Sequence, residues 1–426
     1  MKLKKLNINS YLHLKDLEFD FTYPENHEKA GKPLEKICFI GQSATGKSNL
    51  LKLLSETILY LLRVETVNNH SIWHSNSSYQ NLIKDGSLEL IFEDKNLILS
   101  KESIIYDNHS YDFNEQSGGV IHQLLINKFI LNKILYFNSN YISNENLRYF
   151  NTKPLEITFE KNRIKYKDID EFIFNENISD TYILKLLESF LDYRQKYDTK
   201  VRELLQKGYI SDIDKFNREF KKWQDENPNP IDNFSEKFDL LLNKLNLEID
   251  RINVDYPIPF KNKKTEEIIP ISGLSTGTKG LLLYMLPLYQ IDTSKSIILI
   301  DEPERSLYPD IQMELMDFFR KLSPKSQFII ATHSPFIAAS FEPEERFILY
   351  FDESGDVKVK RGSSPIGDDP NDILANDFGI NYINKYGQQA FDEYKNLKQK
   401  IYFEKNESKK EEISKKLEEL GEKYNF

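Results

Sequence analysis

Gly41 to Leu54 reads GQSATGKSNLLKLL and follows directly on the apolar run KICFI at positions 36–40. The spacing G-x-x-x-x-G-K-S has a physical reason at each fixed place. Gly41 and Gly46 let the backbone curl so that successive N–H groups point inward at phosphate oxygens. The Lys47 ammonium reaches the β and γ phosphates, and the Ser48 hydroxyl is a ligand for Mg²⁺. Leu50, Leu51, Leu53 and Leu54 give the next segment an apolar helical face, whose N-terminal dipole adds to the anion site. With a strand before and a helix after, an ordinary Gly-Ser loop is the weaker reading. The expected nucleotide-contacting set is Gly41, Gln42, Ser43, Ala44, Thr45, Gly46, Lys47, Ser48 and Asn49.

A second constellation lies downstream. In SIILIDEPERSLYP, Ser296–Pro309, an apolar strand ends in two acids. A phosphate-loop sheet puts its metal ligand and its water-polarising base at such a strand end, which makes Asp301 a candidate for Mg²⁺ and Glu302 for the base. A buried acidic pair without such a role would carry a large desolvation cost. QFIIATHSP, Gln327–Pro335, is another apolar strand, ending in His333, a candidate for contact with the γ-phosphate. Upstream, ISGLSTGTKGLLLYMLPLY at 271–289 joins a Gly- and Ser-rich turn to an apolar helix expected to begin near Lys279.

Composition narrows the class. The 426 residues suffice for two or three domains, or for one large domain with an insertion, and the net charge of −10 disfavours a surface wholly given to nucleic acid while leaving direct binding in a local groove open. The single cysteine, Cys38, lies in the apolar strand and is expected to be a packed small hydrophobe. The start, MKLKKLNINSYLHLKDLEF, alternates like a strand, and no apolar run reaches eighteen residues. A cytoplasmic protein with no membrane partner is expected.

In chain order, two short strands are expected to Phe21, then the breaker-rich loop TYPENHEKAGKP. The phosphate-loop helix should run to about Val67, followed by a polar loop from Asn68 to Asn81. SLELIFEDKNLILSKESIIYDNHSYDF reads as an antiparallel meander with turns at Glu93–Asn96 and Asp107–Ser110. ILYFNSNYIS from Ile134 is a buried strand with a polar end, and ITFEKNRIKY suggests a further strand pair. From about 168 to 250 the pattern becomes helical, in TYILKLLESFLDYRQKYDTKVRELLQK and NFSEKFDLLLNKLNLEIDRI, split by ENPNP at 226–230. The tail from Tyr382 reads as helix, with opposite charges three and four apart in SKKEEISKKLEELGEKY. The expected division is 1–165 and 256–381 for the two parts of one α/β head, 166–255 for a helical insertion too short to be a long coiled arm, and 382–426 for a helical tail.

The motifs, in this order, resemble the RecF-like and OLD-like branch of ABC-type ATPases. That resemblance implies an α/β phosphate-loop head with an antiparallel side sheet and an inserted helical domain, using ATP and Mg²⁺. It assigns Lys47, Glu302 and His333 to catalysis, and Ser48 and Asp301 to the metal. Leu274, Ser275 and Gly277 match the L-S-x-G signature, which in that family closes over the ATP of a second subunit, so hydrolysis needs a head dimer. RSLYP at 305–309 stands where the family's D-loop crosses the dimer seam. Asn138 and Asn140 are the candidates for the glutamine-loop position. The chain departs from the pattern at Thr278 and Lys279, at Ala44 in place of a third loop glycine, and at Ser43.

DEPERSLYPDIQ, THSPFIAASF and SSPIGDDPNDILANDFGI look most like ATPase subunits of bacterial anti-phage defence, of the PARIS type first and the Septu type second. This implies assembly with itself, as a head dimer and a higher oligomer, a separate effector such as a TOPRIM-type nuclease, and a phage trigger. A DNA-clamping repair ATPase of the RecF or SMC kind is the alternative. A nuclease within the chain would need Asp368, Asp369 and Asp372, which read rather as a turn with a helix cap.

Overall fold

A computed structural model of the chain describes residues 2–66, 87–93, 95–100, 103–106, 109–112, 134–141, 147–161, 172–174, 180–253, 255–365, 370–380, 385–404 and 406–424. Before the helical region come strands β1 (Leu3–Tyr11), β2 (Leu14–Asp20), β3 (Lys36–Gly41), β4 (Ser87–Phe92), β5 (Asn96–Ser100), β6 (Ser103–Tyr106), β7 (His109–Asp112), β8 (Ile134–Phe137) and β9 (Phe172–Phe174). After it come β10 (Leu247–Ile249), β11 (Phe260–Asn262), β12 (Ile268–Ile269), β13 (Ile297–Asp301), β14 (Gln327–Ala331), β15 (Arg346–Phe351) and β16 (Val357–Arg361).

Every residue of β3, β13 and β14 is buried, the pattern of strands covered on both faces. They lie in the middle of a seven-stranded sheet of order β16-β15-β3-β14-β13-β8-β9, parallel except for the antiparallel edge strand β16. Alternation sends Cys38, Ile40, Ile298, Ile300, Phe328 and Ile330 to one face. There they pack with Phe190, Phe234 and Phe238 of the helical region and with Leu283 and Leu286 of the helix Thr276–Gln290. Ile37, Phe39, Leu299 and Ile329 pack on the other face with Leu50 and Leu54 of the phosphate-loop helix, Lys47–Thr66.

That second face also receives a six-stranded antiparallel sheet of order β2-β1-β4-β5-β6-β7. Strands β4 and β5 alternate buried and more open residues, which suits a sheet covered on one side. Gln327, wholly buried, ties the two sheets: its Oε1 accepts from Leu3 N at 2.8 Å and its Nε2 donates to Leu3 O at 2.9 Å and to Leu34 O at 2.8 Å.

Most of the expected helical stretch forms helices Asp180–Gln206, Ile213–Glu226 and Pro230–Lys244, but the end of NFSEKFDLLLNKLNLEIDRI is not helical: Leu247–Ile249 pairs with β11 as strand β10, and Phe172–Phe174 is strand β9. The break falls at ENPNP because Asn229 caps the third, its side chain accepting from Ile231 N at 3.0 Å, with Pro230 at the first helical position. The tail forms two helices, Lys385–Phe403 and Glu407–Tyr424, bridged by Lys416 and Glu393 at 2.6 Å. Among the described residues no helix is long and apolar enough to cross a membrane.

Another local expectation is overturned. The first part of ITFEKNRIKY is not a strand but belongs to a helix, Pro154–Lys161. Pro154 is preorganised for a first helical turn, and Thr158, β-branched and so read as a strand former, sends its hydroxyl back to Pro154 O at 2.8 Å. Positions 162–166 of that stretch, the loop Asn68–Asn81, the residues between β6 and β7, and Asp368 and Asp369 lie outside the described residues.

Candidate nucleotide site

The phosphate loop leaves β3 through three residues of positive φ: Gly41 at 134°, Ala44 at 65° and Gly46 at 93°. A Cβ on Gly41 would lie 1.9 Å from the Leu349 carbonyl oxygen of the neighbouring strand β15, so no side chain fits. A Cβ on Gly46 would lie 2.9 Å from Leu14 Cδ2 and 3.0 Å from His13 Nε2, so the β1–β2 hairpin leans on the loop. Ala44 holds the left-handed geometry that glycine adopts freely, at a cost of about 1 kcal/mol. Thr45 Oγ1 donates to Gln42 O at 2.8 Å and closes the curl.

Lys47 Nζ is buried inside that curl, donating to Gly41 O and Gln42 O at 2.9 Å each. Burial pushes its pKa down to about 8, against the pull of Asp301, Glu302 and Glu304. The ammonium is thus held by two carbonyl dipoles and under-solvated, a state in which it could exchange those partners for anionic oxygens.

Sheet order brings the acids to this point. β14 pairs with both β3 and β13, so Asp301 at the end of β13 comes level with the loop that follows β3. Ser48 Oγ donates to Asp301 Oδ1 at 3.0 Å, uniting the two oxygen donors expected at Mg²⁺. Burial raises the Asp301 carboxyl to about 6, the Ser48 bond opposing and the Glu302 and Glu304 charges adding to it. A hard divalent cation at that oxygen pair would relieve the raised value, and Mg²⁺ takes few protein ligands beside water and phosphate, so the donor set fits.

Glu302 differs from its neighbour. It sits at φ 50°, its N–H donating to Ala331 O at 2.8 Å, and its carboxylate is partly open, 3.9 Å from Arg305 Nε. A turn of this strain holds an open carboxylate beside the buried one, as a base for water requires. His333, two residues past β14, has a pKa lowered first by burial and then by Lys47, with Glu302 opposing. Lys47, Ser48, Asp301, Glu302 and His333 therefore converge on one edge of the sheet. Gln42, Ser43 and Ala44 are exposed there, and Asn49 is half-buried.

The signature residues stand in a separate cluster. The helix begins at Thr276, three residues before the expected Lys279, because Ser275 caps it: its Oγ accepts from Thr278 N at 3.2 Å and lies 2.8 Å from Thr278 Oγ1. Leu274 is buried in the core. A Cβ on Gly277 would meet Ser306 O at 2.2 Å, so this glycine lets the helix touch RSLYP within its own chain. Ser306 itself has φ 61°. Arg305 Nη1 donates to Ser139 O and, at 3.3 Å, to Asn140 Oδ1, while Asn138 Oδ1 accepts from Asn140 N at 2.9 Å. The two glutamine-loop candidates thus form a turn fastened to the residue beside the acids.

Sequence reasoning passed over His13 at the loop and Glu304, whose Oε1 accepts from His333 N at 2.8 Å. The second acid of E-P-E was visible in the sequence. No local pattern joined it to a residue 29 positions away.

A parallel sheet that carries its phosphate loop level with Asp301, flanked by a stitched antiparallel sheet and interrupted by helices between β9 and β10, defines an ABC-type ATPase head. Within that class the chain belongs to the family described as "AAA domain, putative AbiEii toxin, Type IV TA system", whose model matches residues 36–339. It is 22% identical over 423 aligned positions to a retron Vc95 probable ATPase of Vibrio cholerae serotype O1 biovar El Tor, spanning 88% of this chain and 79% of that protein. It is 32% identical over 72 positions to the Septu protein PtuA of Bacillus thuringiensis, 17% of this chain and 18% of the other. Among solved structures it is similar to the SMC head domain from Thermotoga maritima, at 12% identity and a TM-score of 0.43, over 85% of this chain and 100% of that one.

Proposed function

We propose that the chain binds ATP with Mg²⁺ at the Lys47–Ser48–Asp301 cluster and hydrolyses it as part of an anti-phage defence complex. The observation that carries this is Ser48 Oγ at 3.0 Å from Asp301, beside a buried Lys47. In this reading the loop amides and Lys47 bind the phosphates, and Ser48 and Asp301 hold the metal, which neutralises phosphate charge when bound. Glu302 takes a proton from water, and His333 orients the terminal phosphate.

Turnover would need a second copy, whose Leu274, Ser275 and Gly277 close over the nucleotide. The defence role is supported by the similarity to a retron ATPase and to a Septu protein. We extend it to a cytoplasmic assembly in which ATP-dependent head closure controls a separate effector. A TOPRIM-type nuclease released by a phage trigger, as in PARIS-type systems, is the form proposed. The boundaries 1–165, 166–255, 256–381 and 382–426 are proposed as the functional division, with insertion and tail as the surfaces that pass nucleotide state to that partner.

The test mixes two inactive variants, Lys47→Ala and Ser275→Arg. Each heterodimer then contains one intact composite site, and ATP turnover should return to about a quarter to a half of parental. Heterodimers shown to form but no more active than either variant would refute the composite site. Co-expression with its operon neighbours should yield a complex in which nucleic-acid cleavage stays with the partner. Cleavage by this chain alone would overturn the separate effector.

A further inference from the structure

We infer that Glu304 is a positioning residue for His333, a buried carboxylate strut that makes the acidic turn and the histidine turn move as one piece. The inference rests on the nucleotide-site reading above and adds a residue to it. Glu304 lies three positions past Asp301 and His333 two past Ala331, and Asp301 and Ala331 are register partners in β13 and β14. Oε1 of Glu304 accepts from His333 N at 2.8 Å. Oε2 is buried, and the Thr332 hydroxyl joins the His333 amide in stabilising the carboxylate's charge.

The neighbours of His333 are fixed by other means. Thr332 N donates to Phe39 O at 3.0 Å and Ser334 N to Thr332 Oγ1 at 2.9 Å. Ser334 Oγ in turn caps Pro335–Ala338 and bonds Gln312 Oε1. Between these two anchored residues, the His333 amide has passed the end of the ladder, and Glu304 supplies its acceptor. On the other turn, Glu302 N donates to Ala331 O at 2.8 Å and Leu307 N to Glu304 O at 3.0 Å. Two bonds, Glu302 N to Ala331 O and His333 N to Glu304 Oε1, therefore cross the gap between the strand ends.

The cost of this arrangement argues for its use. Keeping a carboxylate buried costs more than an apolar side chain of the same volume, even where amide and hydroxyl donors offset part of the desolvation. Burial pushes the Glu304 carboxyl up from its ordinary value, with the His333 amide and the Thr332 hydroxyl opposing. What the carboxylate provides in exchange is a strong acceptor that sets where the imidazole stands relative to Lys47 and Glu302.

The test is a double-mutant cycle on the full chain with Glu304→Ala, Glu304→Gln, His333→Ala and Glu304→Ala/His333→Ala. Glu304→Ala should lower kcat about tenfold with KM within twofold, and Glu304→Gln, which keeps an acceptor oxygen, should recover to within about threefold of parent. In the His333→Ala background, Glu304→Ala should cost less than twofold, because it acts through the histidine. In nucleotide-free protein, the His333 ring resonance, assigned by its loss in His333→Ala, should shift in Glu304→Ala and stay in Glu304→Gln. If Glu304→Ala does not fold, Glu304→Met keeps the volume and removes the acceptor. Independent, multiplying losses, or an unmoved ring resonance, would overturn the strut. A parent chain that neither binds nor hydrolyses ATP would instead remove the nucleotide reading beneath it.

Discussion

Two helices begin at glycine-rich turns, and they spend their first turns differently. At Lys47–Thr66 the loop carries Gly41, Ala44 and Gly46 at positive φ, with a buried ammonium folded back on the carbonyls. At Thr276–Gln290 the turn is closed by its own Ser275, and Gly277 is used up against Ser306. The first end is a curled loop around a buried ammonium, the proposed anion cradle. The second is a finished cap fastened to the acidic turn, which in the proposed dimer would close over a nucleotide held by the other copy. The lesson is that similar Gly-Ser turns diverge according to where the first helical amides find their acceptors.

The sharpest way to break this contrast is to compare nucleotide binding in the two turns. Lys47→Ala should weaken ATP binding by at least about 100-fold, close to 3 kcal/mol. Ser275→Ala should leave binding to dilute monomers within about twofold. Glu302→Gln should bind as the parent does and lose about 100-fold in turnover. Calorimetric titration and steady-state hydrolysis read both. Equal binding losses from Lys47→Ala and Ser275→Ala would erase the distinction.

A second test uses pH to probe the cradle side. Asp301 has a folded pKa of about 6 against an ordinary 3.8, so the fold disfavours its ionised form. Its ionisation therefore costs stability above about pH 6, and the cost is relieved as pH falls through that value toward 4. Nucleotide-free Asp301→Asn should be more stable than parent at pH 8, by up to about 3 kcal/mol. The advantage should shrink below pH 6. Urea denaturation at both pH values measures it, and an advantage that does not change with pH would remove burial of this carboxylate as its cause.

The smallest effects belong to the cap. Gly277→Ala must push Ser306 away and should destabilise by about 2 kcal/mol, whereas Ser275→Ala should lose about 1 kcal/mol of helix capping. Destabilisation of Gly277→Ala by less than Ser275→Ala would mean that the contact with RSLYP is loose.

Much of the site was legible because its pieces are local. Strand, loop and helix around Gly41–Leu54 lie within a few turns of chain, and so do the apolar run and its terminal acids at Ile297–Glu302. The helix break at ENPNP was equally local, since Asn229 and Pro230 act on their own helix. The helix at Pro154–Lys161 was misread because Ile157 and Thr158 favour strands by themselves while Pro154 and the packing of Ile157 in the core favour helix.

The sequence by itself therefore determined the strand, curled loop and helix around Gly41–Leu54 and the apolar strand that ends in Asp301 and Glu302, since backbone freedom and side-chain burial there depend on near neighbours. Tertiary structure alone decided that Ser48 meets Asp301, that Gln327 ties the two sheets, that Gly277 touches Ser306 and that Glu304 holds His333. Those partners lie 29 to 324 positions apart, and it is the order β15-β3-β14-β13 in the parallel sheet, not any local preference, that brings Ser48 to Asp301 and Glu304 to His333 at one edge.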